Sequence, residues 1–114
     1  MSNNVIRFGK GVLKSAYEQI YQVPVDFIGV VKTLSFCNIT GSTQTVSIKL
    51  DGQVIMDERE IDPSNGVYNI KAFDHILREN DTIEVKASSD SAINFYINGV
   101  IAPIDNIGSE TQWM

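Results

Sequence analysis

The sequence carries one cysteine, one histidine, one tryptophan and three prolines in 114 residues, and each scarcity closes off a class of function. A lone Cys37 excludes an intramolecular disulfide and any metal site built from several thiolates. A catalytic thiol or hydroxyl needs a base, and His75 is the one histidine to supply it in any scheme. It sits in Phe73-Asp74-His75-Ile76-Leu77, with no G-x-S-x-G elbow in the chain, and reads as a partly exposed loop histidine. Cys37 reads as a small buried hydrophobe in a strand, the usual fate of free cysteine. Gly9-Lys10-Gly11 lacks the rest of a phosphate-binding loop. Nine Lys and Arg against fourteen Asp and Glu give a net charge of −5, and the cations are scattered without a basic run. Phosphate binding needs clustered cations, so nucleic acid is not an expected partner. No segment approaches the ~20 apolar residues of a membrane span. The start, MSNNVIRFGKG, lacks the uninterrupted apolar stretch of a signal peptide, so the expectation is a soluble protein made in a cytosol.

What is present is period-two patterning. Thr45 to Leu50 places Val46, Ile48 and Leu50 on one face and Thr45, Ser47 and Lys49 on the other, the mark of a half-buried strand. Asp51-Gly52 follows, two residues that tolerate positive φ, and predicts a hairpin into Val54-Ile55-Met56. The pattern returns at Ile83, Val85 and Ala87 and again at Ile93, Phe95 and Ile97, with the polar link Ser88-Ser89-Asp90-Ser91 between them, which reads as a second hairpin. Asn98-Gly99 is a further candidate turn, and Asp62-Pro63-Ser64-Asn65-Gly66 is the strongest loop signal in the chain. Gly11 to Tyr21 fits a short amphipathic helix by its i, i+4 spacings. The β-forming residues of Tyr17 to Pro24 favour a strand ending at Pro24 instead. Phe73 to Arg78 reads as one helical turn.

Eight strands are expected: Asn4 to Leu13, Ala16 to Val23, Gly29 to Asn38, Thr45 to Leu50, Gln53 to Ile61, Val67 to Phe73, Thr82 to Ala87 and Ala92 to Ile101. That spacing predicts an all-β, antiparallel β-sandwich, jelly-roll-like or Ig-like, in a single domain. Residues 1–15 form an N-terminal arm or edge strand, 16–103 the sandwich core, and 104–114 a C-terminal tail.

The acidic clusters, Asp57-Glu58-Arg59-Glu60 with Asp62 and Glu79-Asn80-Asp81 with Asp74, read as solvated faces. Calcium loops alternate oxygen ligands around a glycine, and D-E-R-E puts a cation in the middle. Asp81 is placed to cap turn amides before the strand at Thr82. Asn38-Ile39-Thr40 and Asn80-Asp81-Thr82 match the glycosylation triplet by chance, given no secretion signal. No catalytic residue, metal ligand or cofactor site is assigned. Trp113, in a polar tail, is an anchor on its own domain, a plug for a neighbour's pocket, or part of a free tail.

Taken in order, Tyr21-Gln22-Val23-Pro24, the strand ending in Cys37-Asn38, Thr45-Val46-Ser47-Ile48, Leu77 with Asn80-Asp81-Thr82-Ile83-Glu84-Val85-Lys86-Ala87, and Phe95-Tyr96-Ile97-Asn98-Gly99 resemble the small β-sandwich accessory proteins of tailed bacteriophage virions. In that family a Tyr-x-Val-Pro strand, a Cys-Asn strand end, a Leu-x-x-Gly-Asp-x-Ile turn and a closing Ile-x-Gly strand recur in this order. The resemblance spans Tyr17 to Gly99, with Asn80 where the pattern has glycine, a position asparagine tolerates because it also visits positive φ. It implies a non-enzymatic structural part of a phage particle, a head decoration, collar or tail accessory. Such a part is made in the bacterial cytoplasm, resides in the virion, contacts the major capsid or other virion proteins, and forms a homo-oligomer without nucleic acid or membrane. The apolar residues of the arms, Val5, Ile6 and Phe8 in front and Ile104, Ile107 and Trp113 behind, are the candidate subunit contacts. Packing of the same residues on the parent domain is the alternative for them. The alternative for the whole chain is a carbohydrate- or host-surface-binding sandwich module, stacking sugar rings on Tyr17, Tyr21, Tyr68, Tyr96 or Trp113.

Overall fold

The computed structural model describes residues 4–71 and 73–104. The alternating Thr45–Leu50 segment forms strand β4 (Gln44–Leu50), which buries Val46, Ile48 and Leu50. Asp51 and Gly52 take φ of 51° and 78°, positive at both central positions of a two-residue turn. The chain then returns as β5 (Gln53–Ile61), with Leu50 paired to Gln53.

Every other pairing nests around that turn. Strand β3 (Phe27–Asn38) pairs with β6 (Gly66–Ile70) and β7 (His75–Leu77), β2 (Glu18–Gln22) with β8 (Thr82–Ala87), and β1 (Asn4–Val12) with β9 (Ile93–Pro103), all antiparallel. The described chain is therefore one long hairpin bent at Asp51-Gly52. It rolls up because β9 also pairs with β3 and β8 with β4. Two sheets result, β1-β9-β3-β6 with β7 also on β3, and β2-β8-β4-β5. With β6 and β7 counted as one interrupted strand along β3, this is the jelly-roll form of the β-sandwich. The interruption lies at the β3 bulge, where the Lys32 carbonyl accepts from Phe73 N at 2.8 Å.

The core fills the space between the sheets. Val31, Leu34 and Phe36 of β3 and Ile93, Phe95 and Ile97 of β9 face Val46 and Ile48 of β4 and Ile83 and Val85 of β8. Those are the inward faces that period-two alternation assigns.

Four local expectations are corrected. Nine strands form among the described residues instead of eight, because 75–77 extend along β3 where a helical turn was expected. Strands β8 and β9 are not a hairpin: residues 88–92 carry the chain from one sheet to the other. Asn98-Gly99 is not a turn but lies inside β9, opposite β1 and β3. A Cβ on Gly99 would run into the Val30 carbonyl oxygen and reach 2.5 Å from the Phe8 ring, so the glycine serves close approach. Cys37 is half-buried on the outer face of β3, since Phe36 and Asn38 on either side of it point inward. The segment 11–21 divides between the end of β1 and the start of β2, as the strand reading of it expects.

Where β3 ends, Asn38 is fully buried and every polar atom of its side chain is used. Its Nδ2 donates to the carbonyls of Ser42 at 2.8 Å and Ile61 at 3.0 Å, and its Oδ1 accepts from Thr40 N at 2.9 Å and Thr40 Oγ1 at 2.8 Å. One amide thus joins the end of β3, the loop into β4 and the last residue of β5. Asn65 N donates to the Asn38 carbonyl and Ser64 N to that of Thr40, both at 2.8 Å, which adds the 62–66 loop.

Two substitutions test this frame. Asn38→Ala leaves the Ile61 carbonyl and Thr40 N–H unpaired in the interior, at about 1–3 kcal/mol each, and is expected to lower Tm by roughly 10–20 °C. Asn38→Asp keeps the acceptor, loses both donors, and should destabilise at least as much in the same thermal melt. Gly99→Ala is expected to cost about 1–3 kcal/mol by overpacking against Phe8 and Val30, read as a shift in urea midpoint at unchanged slope.

Candidate interaction surfaces

The residues with reactive side chains lie apart. His75 stands opposite Val31 and Cys37 opposite Asn94, six positions along β3, a separation of roughly 20 Å at ~3.3 Å per residue. They form no thiol–imidazole pair. The His75 ring stacks on Phe73 at 5.3 Å, and the Asp74 carboxylate meets the Lys32 ammonium at 2.7 Å in solvent. Asp81 Oδ2 accepts from Arg78 N at 2.9 Å, closing the turn in which Asn80 has a φ of 70°. Among the described residues no three His, Cys, Asp or Glu side chains converge as metal ligands would.

Nor do the tyrosines share a platform. Tyr96 on the outer face of β9 lies under the Arg7 guanidinium at 4.6 Å, Tyr68 of β6 under Arg59 at 4.3 Å, and Tyr17 under Lys49 and Lys86 at 4.3 and 4.9 Å. Tyr21 meets the Phe8 ring edge-on at 4.8 Å, and burial pushes its phenol pKa up. Three rings are each covered by cations and the fourth by the core.

A different surface appears when the registers are followed across the first sheet. Val5 is opposite Val100, Val100 opposite Val30, and Val30 opposite Ile76. Residues opposite one another share a face, and the neighbouring Gly29 and Gly99 point inward at Phe8, so this row lies on the outside. Four β-branched side chains cross four strands in line, ending at Val5, 86% exposed. The next row is polar and tied together: Arg7 Nε donates to Asn98 Oδ1 at 3.1 Å, and Asn98 Nδ2 to Thr33 Oγ1 at 3.3 Å. Sequence reasoning named Val5 and missed the other three. Their signal is that Ile28-Gly29-Val30-Val31 and Gly99-Val100-Ile101-Ala102 do not alternate, which marks strands apolar on both faces.

The remaining arm residues separate. Ile6 is half-buried against the core. Phe8, at 3% exposure, is a core residue, because alternation from the outward Arg7 turns its ring inward onto Tyr21. It is thereby removed from the candidate surface contacts. Ile104 is 37% exposed and lines a cavity of about 290 Å³ with Phe27, Ile28, Arg78 and Glu79. Ile107 and Trp113 lie outside the described residues.

The two lateral sides of the sandwich differ in charge, mixed on one and acidic on the other. Between β1 and β2 a cleft of about 360 Å³ is lined by Lys10, Lys14 and Glu18. Between β5 and β6 a cleft of about 630 Å³ is lined by Asp57, Glu58, Arg59, Glu60 and Asp62.

No family model matches this chain. No curated protein matches it. Solved structures similar to it include two of a pentameric capsid protein isolated from metagenomic phage sequences. One is 17% identical over 89% of this chain and 62% of that chain, with a TM-score of 0.38. The other is 18% identical over 89% and 63%, with a TM-score of 0.35. The chain thus spans less than two thirds of the length of those capsid chains. A likeness at that level assigns no role to any residue.

Near the β1–β2 cleft, Ser15 N donates to Asp90 Oδ1 at 2.7 Å, pinning the β1–β2 link to the β8–β9 link. The hydrogen bonds from the Ser15 backbone and hydroxyl, with Lys14 close by, hold the Asp90 carboxyl below its ordinary pKa of 3.8. A carboxylate whose pKa is depressed by folding contributes stability above its unfolded pKa and loses it as pH falls through the folded one. Asp90→Asn is therefore expected to melt a few degrees below the native chain at neutral pH. The difference should close under acid conditions below pH 3.8, checked by calorimetry across the acid range.

Proposed function

We propose that this chain is a non-enzymatic structural protein of a phage particle, resident in the virion and assembling on the capsid or head–tail region through its sandwich faces and terminal arms. Jelly rolls serve lattice proteins, lectins and enzymes alike, so topology does not choose among them. The observation that supports this reading is the spatial pairing of the segments that resemble virion accessory proteins. The Tyr21-Gln22-Val23-Pro24 and Asn80-Asp81 segments bond to each other, Val23 N to the Asp81 carbonyl at 2.9 Å and Asn80 N to the Val23 carbonyl at 2.8 Å. The strand ending in Cys37-Asn38 pairs with the Phe95–Gly99 strand, Phe36 opposite Phe95 and Val31 opposite Gly99. Segments that recur in order along the chain are thus partners in the fold, as the fixed points of one architecture are.

The surfaces fit assembly. A rigid sandwich with buried polar groups satisfied presents an apolar row ending at the highly exposed Val5, the kind of exposed stripe that marks contact with another protein. The proposed partners are major capsid or other virion proteins and further copies of the chain, and the proposed contacts are Val5, Ile6, Ile104, Ile107 and Trp113 together with Val30, Val100 and Ile76. The sugar-binding alternative has no such support, since three tyrosines are covered by cations and point to different sides.

The test is quantitative mass spectrometry of gradient-purified particles from the phage culture that produces the chain. Its peptides are expected at a fixed ratio to the major shell protein, and Val5→Asp should lower that ratio about tenfold or more without unfolding the chain. Absence from particles, with retention on host cell-wall glycan, would end this reading.

A further inference from the structure

The outer face of the first sheet stays apolar beyond the row from Val5 to Ile76. Two positions along from Val30 and Val100, Ile28 and Ala102 stand opposite each other and share that face by alternation, yet they are buried, at 4% and 1% exposure. Ile104 follows them. Its N–H donates to the Asp26 carbonyl at 2.8 Å, and it lines a cavity of about 290 Å³ with Phe27, Ile28, Arg78 and Glu79. The described chain therefore ends on the apolar face itself, beside the buried Ile28. Along the same strands Val100, Val30 and Ile76 are half-buried, and Val5 is the most exposed large apolar residue.

Reach decides what can cover that row. The sequence after Ile104 reads DNIGSETQWM, in which Ile107, Trp113 and Met114 are the large apolar side chains. At ~3.4 Å per residue Ile107 reaches about 10 Å from Ile104 and Trp113 about 30 Å. The row lies four positions back along β9, about 13 Å away, and is about 14 Å wide across four strands. Trp113 can thus stand over any part of the row, and Ile107 over its near border at Ile28 and Ala102. A tethered segment of this length acts at an effective concentration in the millimolar range, so at micromolar chain concentrations it outcompetes the same segment of a second copy. The polar row of Arg7, Asn98 and Thr33 runs alongside. An indole lying flat on the valines keeps its N–H at that wet border, as an amphipathic ring requires.

We propose that residues 105–114 fold back over the outer face of the first sheet of their own chain, with Trp113 seated on the row of Val5, Val100, Val30 and Ile76. The inference goes beyond the virion role and does not depend on it. Row and tail are each candidate contacts for neighbours, and in the free subunit they cover one another. A neighbour then gains either one only by exchange for the other, which keeps an apolar stripe from meeting solvent or unspecific partners before assembly.

Trp113 is the one tryptophan, so tryptophan emission from the full chain reports on it alone. In the native chain at micromolar concentration the emission is expected to lie to the blue of free indole, and acrylamide should quench it about twofold or more weakly than a solvated ring. Val30→Thr with Val100→Thr makes the row polar while keeping strand-favouring residues. Val5→Asp does the same at a position 86% exposed, where folding does not depend on the side chain. Circular dichroism and melting temperature check each variant. Both should move the emission to the red and restore full quenching. Mixing either one with a full-length Trp113→Ala chain, which offers an open row and no emission of its own, should leave that signal unchanged. Native emission typical of a solvated indole would overturn the inference. So would a protected ring that ignores the row substitutions, which would seat the tail elsewhere, or recovery of the blue emission on mixing, which would make the occupant a second copy's tail. Particle mass spectrometry separates this from the virion role: a solvated Trp113 in a chain found on particles overturns the docking alone, and a docked Trp113 in a chain missing from particles overturns the virion role alone.

Discussion

A chain that passes between two sheets at nearly every link must satisfy its backbone polar groups at each crossing, and the Asn38 amide does this where four segments meet. Its position is set by the nested pairing around Asp51-Gly52. The innermost hairpin is β4–β5, and the next pair out, β3 with β6, can form only if the links on both arms leave one sheet and enter the other side by side. Asn38 stands on one arm and the carbonyl of Ile61 ends the other, so the 3.0 Å bond between them fixes the two crossings together. An apolar side chain of the same size would fill the space and take this partner from the Ile61 carbonyl and Thr40 N–H, while the Thr40 hydroxyl and Ser42 carbonyl would keep only each other and the loop. The outer pairs, β2–β8 and β1–β9, inherit their register from this one. Nearly all pairing is therefore long-range, and local propensity does little of the work.

The same nesting explains what was legible in the sequence and what was not. Strands β4, β8 and the first half of β9 were legible because each buries one face, so alternation of apolar and polar residues reports them directly. Partnership was not, because alternation says which face is buried but not against which neighbour. Hence β8 and β9, adjacent and patterned alike, invite a hairpin yet belong to different sheets. Asn-Gly misled at Asn98-Gly99 for a related reason. The dipeptide signals a turn when positive φ is what the glycine supplies, but here its missing side chain makes room for the Phe8 ring. Cys37 misled because a buried asparagine is rare enough that alternation is normally counted on apolar residues alone. Once Asn38 is counted as inward with Phe36, Cys37 must face out.

Legibility of the surfaces divides the same way. Val5 was visible as an apolar residue in a polar arm, while Phe8, three positions on, falls on the opposite face once 4–12 is read as one strand. The row from Val5 to Ile76 draws one residue from each of four strands spanning most of the chain, so only the register assembles it. Charge shows the greatest difference between sequence and fold. Along the chain the cations are scattered, and their arrangement suggests nothing. Folding lays Arg7, Arg59, Lys49 and Lys86 on tyrosine rings, so the carboxylates already contiguous in β5 keep one side acidic.

That acidic side bears on the hazard every open sandwich carries. Edge strands present unpaired N–H and C=O groups to any passing strand, and β1 and β5 are both edges. Strand β5 is broken by bulges and loaded with carboxylates, which repel one another and make indiscriminate strand addition unfavourable. The same carboxylates favour only a partner that brings cations at matching positions, so protection against unspecific pairing and selection of a partner are one device.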